Sequence, residues 1–241
     1  MLLAPTVSAL GLPPRAAIDL VRNHGCRGVQ LDARTSGTRP SELGESARRD
    51  LLACIRRGNQ VLAGLDFWIP MQVWSDPAAQ QRAMDATCSV IDLAAGLERC
   101  TVSLWLPDPK AEGELHHAVQ DYAARFAVPL ADHAAPLMGS EATHGIGVDP
   151  VALLADGADP VEIVSQVGAR LSSARLADLD QTGQRVELGL GRLDLVGYKV
   201  AMSISPLSHL VVDLRHLSDP VSALHKACAA WDAVGPSATG W

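Results

Sequence analysis

Acidic, basic and aromatic side chains recur along this chain at the ends of short apolar runs. Asp32 and Arg34 follow the run GVQL, and Asp213 and Arg215 follow the run HLVV. Carboxylates and histidines can move protons, arginines can bind anions through two parallel hydrogen bonds, and tryptophan rings offer large apolar faces for stacking. The full set is Asp32, Arg34, Asp66, Trp68, Trp105, Asp132, His133, Asp149, Arg175, Asp178, Asp213 and Arg215. These residue types predict a site for a small carbohydrate or a small anionic molecule.

Each of these residues lies where a predicted β-strand ends. Short β-rich runs alternate with helical runs over the whole chain, a pattern typical of βα units around a parallel sheet. We predict one α/β domain over residues 1–235, a single (β/α)8 TIM barrel, followed by a flexible tail at 236–241. The eight strands are predicted at residues 2–7, 28–32, 60–66, 101–106, 128–131, 145–149, 172–177 and 210–213. In such barrels the chemistry takes place at the carboxyl ends of the strands.

The connection between the fifth and sixth predicted strands departs from this plan. Only residues 132–144 separate the two strands, and the sequence APLMGSEATHG is too short and too broken for a full crossover helix. We therefore expect the barrel to lack a full helix here. The segment should either fold as a compact loop or lie against a second copy of the chain, which would make the protein a homo-oligomer.

Composition excludes several classes of protein. The 241 residues carry a net charge of −7 and show no clustered Lys/Arg stripe, so we expect no nucleic-acid partner. There is no long apolar run and no charged leader before a short one, so neither a membrane span nor a signal peptide is predicted. The five cysteines are widely spaced and contain no CxxC pair, which indicates a reducing cytoplasm.

Four motifs between residues 145 and 215 carry a resemblance to a known family. The motifs GIGVDP, ARLADLD, GLGRLD and HLVVDLR resemble the last strand ends of the xylose-isomerase-like TIM barrels. This family includes sugar isomerases, sugar-phosphate epimerases and abasic-site endonucleases, and its strand ends bind a divalent metal through Glu, Asp, His and Glu in chain order. The resemblance begins at GCRGVQLDAR and extends to the C-terminal helix. It implies a TIM barrel with isomerase or epimerase chemistry.

The chain departs from the family at the metal ligands themselves. The four aligned positions hold Ala131, Asp149, Arg175 and Asp213, and none of the eight Glu residues lies at a predicted strand end. Two ligands are lost and a third is shortened by one methylene. The resemblance therefore implies a degenerate metal site, and we expect no cofactor, although a divalent metal is what the family would supply.

Arginine replaces the missing positive charge in this interpretation. Without a metal, Asp149 and Asp213 would repel each other unless another cation lay between them, and Arg175 can supply that charge. Arg34, Arg175 and Arg215 could instead converge on a phosphate or carboxylate of a ligand. The alternative that we favour for Arg175 is an ion pair with Asp149 or Asp213, with no ligand involved.

Several of the other residues also have a purely structural interpretation. Asp149 precedes Pro150 and a helical run, so it could simply cap a helix. Trp105 lies within the apolar run VSLWL and could belong to the core, whereas Trp68 is expected on the rim. His133 could be a solvated loop residue.

Two functions of different classes follow. The first is a sugar or sugar-phosphate isomerase or epimerase with a remodelled, metal-free site. In that enzyme Asp149, Asp213, Asp66 or His133 would act as the base, and Arg175 and Arg215 would stabilise negative charge. The second is a non-catalytic barrel that binds a carbohydrate or an anion, or that serves as a subunit of an assembly.

Overall fold

Ten strands are present in the computed structural model, which describes residues 1–137 and 145–234. They are β1 (Leu2–Pro5), β2 (Gly28–Asp32), β3 (Val61–Asp66), β4 (Thr101–Leu104), β5 (Leu130–Asp132), β6 (Ile146–Val148), β7 (Leu171–Leu176), β8 (Asp178–Leu179), β9 (Arg185–Val186) and β10 (His209–Val212). Each of the eight predicted strands is confirmed, with bounds that differ by at most three residues. The pair β8 and β9 was not predicted, and it forms an antiparallel hairpin directly after β7.

Eight parallel strands form a nearly closed barrel, which confirms the predicted TIM-barrel fold. Their order around the barrel is β1, β10, β7, β6, β5, β4, β3, β2. Seven of the eight neighbouring pairs form parallel ladders, whereas β1 meets β2 through a single bridge between Thr6 and Gln30. The junction between β1 and β2 is therefore weakly hydrogen-bonded, as is the junction between β5 and β6, where only Asp132 and Ile146 are paired.

Helices cover the outside of the barrel. In the two described segments they are α1 (Pro14–Asn23), α2 (Glu45–Arg57), α3 (Met71–Trp74), α4 (Pro77–Gly96), α5 (Gly113–Arg125), α6 (Pro150–Ala155), α7 (Pro160–Val167), α8 (Leu195–Ser203) and α9 (Pro220–Ala233). Asp76, Asp159 and Asp219 each accept a hydrogen bond from a backbone N–H in the first turn of the helix that follows. A proline follows each of these three residues, and an Asp-Pro pair is typical of a helix start.

The inside of the barrel contains a polar layer. Gln30, Asp66, Ser103, Ser173 and Arg175 are all at most 3% exposed. In the strand order β7 lies four places from β3, so these two strands face each other across the barrel. A side chain of β7 that contacts β3 must therefore cross the interior, and this places Arg175 at the centre of the molecule.

The connection between β5 and β6 was predicted to lack a full helix and to fold as a compact loop or lie against a second copy of the chain. Residues 138–144 lie outside the described residues, so the expected lack of a helix there stays a prediction. A missing helix would leave Val128, Leu130 and Ile146 under-covered, but all three are at most 7% exposed. Large exposed apolar side chains instead mark α8 and the residue after it, at Val196, Val200 and Ile204. The homo-oligomer remains a prediction, and no described helix is long and apolar enough to cross a bilayer.

Candidate functional site

An open cavity of about 540 Å³ lies at the carboxyl ends of the barrel strands. Six of the predicted site residues line it, namely Asp32, Arg34, Trp68, Trp105, Asp149 and Arg215. They come from five different strand ends, as expected for a TIM-barrel site. The cavity has room for a small molecule of the size of a sugar or a sugar phosphate.

Arg175 and Asp66 form a buried ion pair beneath this cavity. Arg175 donates from Nη1 to Asp66 Oδ2 at 3.1 Å and from Nη2 to Asp66 Oδ1. Gln30 Nε2 donates to the same Oδ1 at 2.7 Å. The side chains of Arg175 and Asp66 are 0% and 1% exposed. Our prediction that Arg175 pairs with Asp149 or Asp213 was wrong, because the β7 side chain crosses the barrel to β3 instead of turning towards its neighbours.

The cation between Asp149 and Asp213 is Arg185, which the sequence did not single out. Arg185 lies on β9 of the hairpin, with Nη2 at 3.3 Å from Asp149 Oδ2 and Nη1 at 3.0 Å from Asp213 Oδ2. A signal for this hairpin was present in LDQTGQRV. Asp180 accepts hydrogen bonds from the backbone N–H groups of Thr182 and Gln184, which is the turn that an Asp-x-Thr-Gly sequence favours.

Asp213 is held between two arginines. Arg215 donates from Nε to Asp213 Oδ1 at 2.8 Å and from Nη2 to Oδ2, and Arg185 contacts the same Oδ2. Burial alone would raise the pKa of Asp213, but the hydrogen bond and charge of Arg215, with Arg185 and Arg175, hold that pKa well below its usual range. Side chains two residues apart along a strand point the same way, and the contact between Asp213 and Arg215 follows this rule. Asp213 is thus an ionised, fully engaged carboxylate.

Two tryptophans shape the floor and wall of the cavity. The guanidinium carbons of Arg175 and Arg215 lie 5.1 and 5.0 Å from the Trp68 ring centroid, within reach of a cation–π interaction. Trp105 is half-buried and lies edge-on to Trp68 at 5.9 Å between centroids. Because Trp105 lines the cavity, its position favours the rim interpretation over core packing.

His133 lies beneath Trp68, with 5.0 Å between the ring centroids. The residue is 2% exposed, so the alternative of a solvated loop histidine was wrong. Neither ring nitrogen has a hydrogen-bond partner within residues 1–137 and 145–234. Burial, followed by the charges of Arg175 and Arg215, holds the pKa of His133 well below its ordinary value of 6.5. The imidazole is therefore neutral at physiological pH.

This buried imidazole makes folding sensitive to acid. Below pH 6.5 the unfolded chain protonates His133, while the folded protein keeps it neutral. Because the unfolded state then binds more protons, the free energy of unfolding decreases as the pH is lowered. Between pH 7 and 5 we expect His133 to contribute a loss of about 1–2 kcal/mol. Chemical denaturation at several pH values should show a shallower dependence for His133→Leu than for the wild type. The exposed His225→Gln control should follow the wild type, and parallel profiles for wild type and His133→Leu would contradict the buried neutral state.

Asp132 and Asp178 have structural partners. Asp132 Oδ1 accepts from the backbone N–H groups of Leu106 and Ala134, and burial raises its pKa. The carboxylate of Asp178 accepts from four backbone N–H groups, those of Leu179, Gly189, Gly191 and Leu193. These bonds fix the loop that follows β7, including the hairpin that carries Arg185. Asp132 and Asp178 thus position the rim, whereas their role as substrate ligands stays a prediction.

Asp149 both caps a helix and lines the cavity, the two roles that the sequence suggests for it. Its Oδ1 accepts from the Val151 N–H and caps α6, while its Oδ2 faces Arg185 at the cavity. The capping alternative is therefore confirmed without removing Asp149 from the cavity wall.

The degenerate metal site that the resemblance implies stays a prediction. Ala131 and Arg175 offer no ligand atom to a cation, and Asp149 and Asp213 are already bonded to Arg185. Within the described residues, no group of three or more His, Cys, Asp or Glu side chains is placed to hold a metal ion.

Comparisons with known proteins identify the fold. No family model matches the chain, and neither does any curated protein. Among solved structures, a xylose isomerase domain protein from Planctomyces limnophilus is 17% identical with a TM-score of 0.73, over 97% of this chain and 94% of that one. D-psicose 3-epimerase from Clostridium cellulolyticum H10, solved with D-tagatose, is 11% identical with a TM-score of 0.75, over 97% and 99%. The probable 3-DHS dehydratase AsbF from Bacillus anthracis is 12% identical with a TM-score of 0.74, over 96% and 98%. The chain thus has the fold of the xylose isomerase-like barrels and the sugar epimerases.

Proposed function

We propose, from the xylose isomerase-like fold and the ion pairs at its mouth, that this protein acts on a small anionic carbohydrate as a metal-independent isomerase or epimerase. The observation that carries the proposal is the position of Arg185 between Asp149 and Asp213, at 3.3 and 3.0 Å. In the family that the sequence resembles, the corresponding two carboxylates face a divalent metal. Here a guanidinium lies between them, and a guanidinium cannot coordinate a metal.

The charges around the cavity suit a substrate with an anionic group. Arg34 is the most exposed of the lining arginines, with 52% of its side chain accessible. Its guanidinium contacts the Trp68 carbonyl and Asp32, and its solvent-facing side is open to a phosphate or a carboxylate. Trp68 and Trp105 supply apolar faces on which a sugar ring can stack. The structural neighbours include epimerases of D-psicose and L-ribulose, which supports a sugar as the remainder of the substrate.

Chemistry without a metal would need a base and a source of positive charge. Isomerisation and epimerisation begin with removal of a proton next to a carbonyl, and the resulting enediolate must be stabilised. We assign the proton transfer to Asp149, because it lines the cavity and its Oδ2, which Arg185 contacts at 3.3 Å, is not used to cap the helix. Arg185 and Arg215 flank the same cavity and are placed to stabilise the negative charge.

A specific observation favours binding without catalysis as the second candidate. Asp213 is held by two arginines, Asp66 is buried in the ion pair with Arg175, and His133 lies buried beneath Trp68. Three of the four predicted bases therefore cannot reach a ligand in this arrangement. If Asp149 is too strongly held by Arg185 to accept a proton, the cavity binds its ligand and does not turn it over.

Proton exchange in heavy water separates these two candidates. We expect elemental analysis of the purified protein to find no stoichiometric divalent metal. In heavy water that contains EDTA, we expect the protein to catalyse the incorporation of deuterium into a ketose or ketose phosphate, at the carbon next to the carbonyl. Asp149→Asn should reduce the exchange rate by about 100-fold or more, in line with loss of a general base. Arg34→Ala should chiefly weaken binding of the phosphorylated substrates.

The outcomes of this experiment are distinct. Saturable binding by calorimetry without deuterium incorporation would favour the non-catalytic function. One equivalent of zinc, manganese or magnesium, with exchange abolished by EDTA, would contradict the metal-independent proposal.

A further inference from the structure

Two cysteines far apart in the sequence meet on the outside of the barrel. Cys26 lies just before β2, and Cys228 lies on α9, the last described helix. Their sulfur atoms are 3.7 Å apart although 202 residues separate them in the chain. Neither residue belongs to the cavity described above, and the proposed function does not use them.

The surroundings of the two sulfurs differ. Cys26 is 4% exposed, whereas Cys228 is half-buried and can be reached from solvent. Contact with the Cys26 thiol lowers the pKa of Cys228, while the same contact and burial raise the pKa of Cys26. The accessible member of the pair is therefore the one that more readily forms the reactive thiolate.

A metal does not explain the pair. A structural zinc site needs four ligands, and the described residues contain no third side chain placed to complete one with these two sulfurs. To form a disulfide the two sulfurs must approach from 3.7 Å to about 2.05 Å. A side-chain rotation of Cys228 on the surface of α9 can supply a movement of this size.

We propose that Cys26 and Cys228 form a reversible disulfide when the protein meets a hydroperoxide. The Cys228 thiolate attacks the peroxide oxygen and becomes a sulfenic acid, and the peroxide O–O bond breaks to release an alcohol, or water from hydrogen peroxide. The Cys26 thiol then attacks the sulfenic sulfur and a water molecule leaves. In total two thiols lose two electrons and two protons, and the peroxide is reduced. A dithiol reverses the bond by two exchange steps.

The disulfide would stabilise the barrel near the junction between β1 and β2. Cys26 is joined directly to β2, and α9 follows β10, the strand that pairs with β1 on its other side. A bond between them spans the junction where β1 and β2 share a single backbone bridge. It also closes a loop of about 200 residues, and long loops give the largest loss of entropy in the unfolded chain.

Oxidation of the purified, full-length protein tests the proposal. After treatment with hydrogen peroxide and removal of the oxidant, we expect two of the five thiols to be lost and a Cys26–Cys228 peptide to appear in a non-reducing digest. The melting temperature should rise by about 10 °C and return on addition of dithiothreitol. Cys228→Ser should show no such rise, whereas Cys88→Ser, which changes another half-buried helix cysteine, should behave like the wild type.

Three results would overturn the proposal. The first is that Cys26 and Cys228 both remain open to alkylation after oxidation. The second is that Cys228 proceeds to a sulfinic acid without forming the cross-linked peptide. The third is one equivalent of zinc that is released when the two thiols are blocked. The first two outcomes do not bear on the proposed sugar chemistry, because the pair lies outside that cavity. Zinc held by the two cysteines would contradict the expected metal content, but deuterium exchange in the presence of EDTA would still test the metal-independent chemistry.

Discussion

Replacement of Arg175 by methionine is expected to lower the free energy of unfolding by about 3–5 kcal/mol. The guanidinium is 0% exposed and supplies two hydrogen bonds to Asp66, which is 1% exposed. Methionine fills much of the same volume but leaves the Asp66 carboxylate buried without a cation. Urea denaturation followed by circular dichroism measures this loss.

Two further variants make the Arg175 experiment specific. Arg34→Met removes an arginine of the same strand-end ring whose side chain is 52% exposed, and it should change stability by less than about 1 kcal/mol. The double variant Arg175→Met with Asp66→Leu should regain a large part of the loss, since an apolar pair can replace a buried ion pair. A single Arg175→Met variant as stable as the wild type would place this side chain in solvent.

Substitution of Gly147 by alanine is expected to destabilise the protein by about 2–3 kcal/mol. A Cβ added at this position of β6 would lie 2.2 Å from His133 Cδ2 and 2.4 Å from Cγ. The ring cannot simply move away, because Trp68 covers it on another side. The cost arises from overpacking, so thermal unfolding should show a lower melting temperature with the fold retained.

The matched control is Gly113→Ala, at a helix start where an added Cβ meets nothing within 4 Å. That change should be neutral or slightly stabilising. In the His133→Ala background the Gly147→Ala substitution should cost much less, because the clashing ring is gone. Equal costs in both backgrounds would mean that His133 does not lie against β6 as described.

Most of the fold could be predicted from the sequence because its signals are local. Continuous apolar runs mark buried parallel strands, and Asp-Pro pairs mark helix starts. Both signals located their elements to within a few residues. The hairpin of β8 and β9 was not predicted from the sequence because each of its strands is only two residues long. Such strands are too short to show an alternation of apolar and polar side chains.

The sequence predicted which positions line the candidate site, but it did not predict the ion-pair and hydrogen-bond partners of the side chains at those positions. Strand ends located the lining residues, since chain order alone brings the carboxyl ends of parallel strands to one face. The partner of Arg175 depends on the diameter of the barrel and the direction of one long side chain, which no sequence spacing encodes. The backbone partners of Asp178 were unpredictable for a similar reason, because its role as an acceptor for four backbone N–H groups depends on a loop conformation.

The location of Arg185 on a surface hairpin affects how the charge of this cavity can change during evolution. The arginine belongs to a short surface hairpin and not to any of the eight barrel strands. Loops accept insertions and substitutions far more readily than the elements they connect. The positive charge that Arg185 brings to the cavity wall can therefore be changed by substitutions in a short loop, while the barrel strands and their core stay the same.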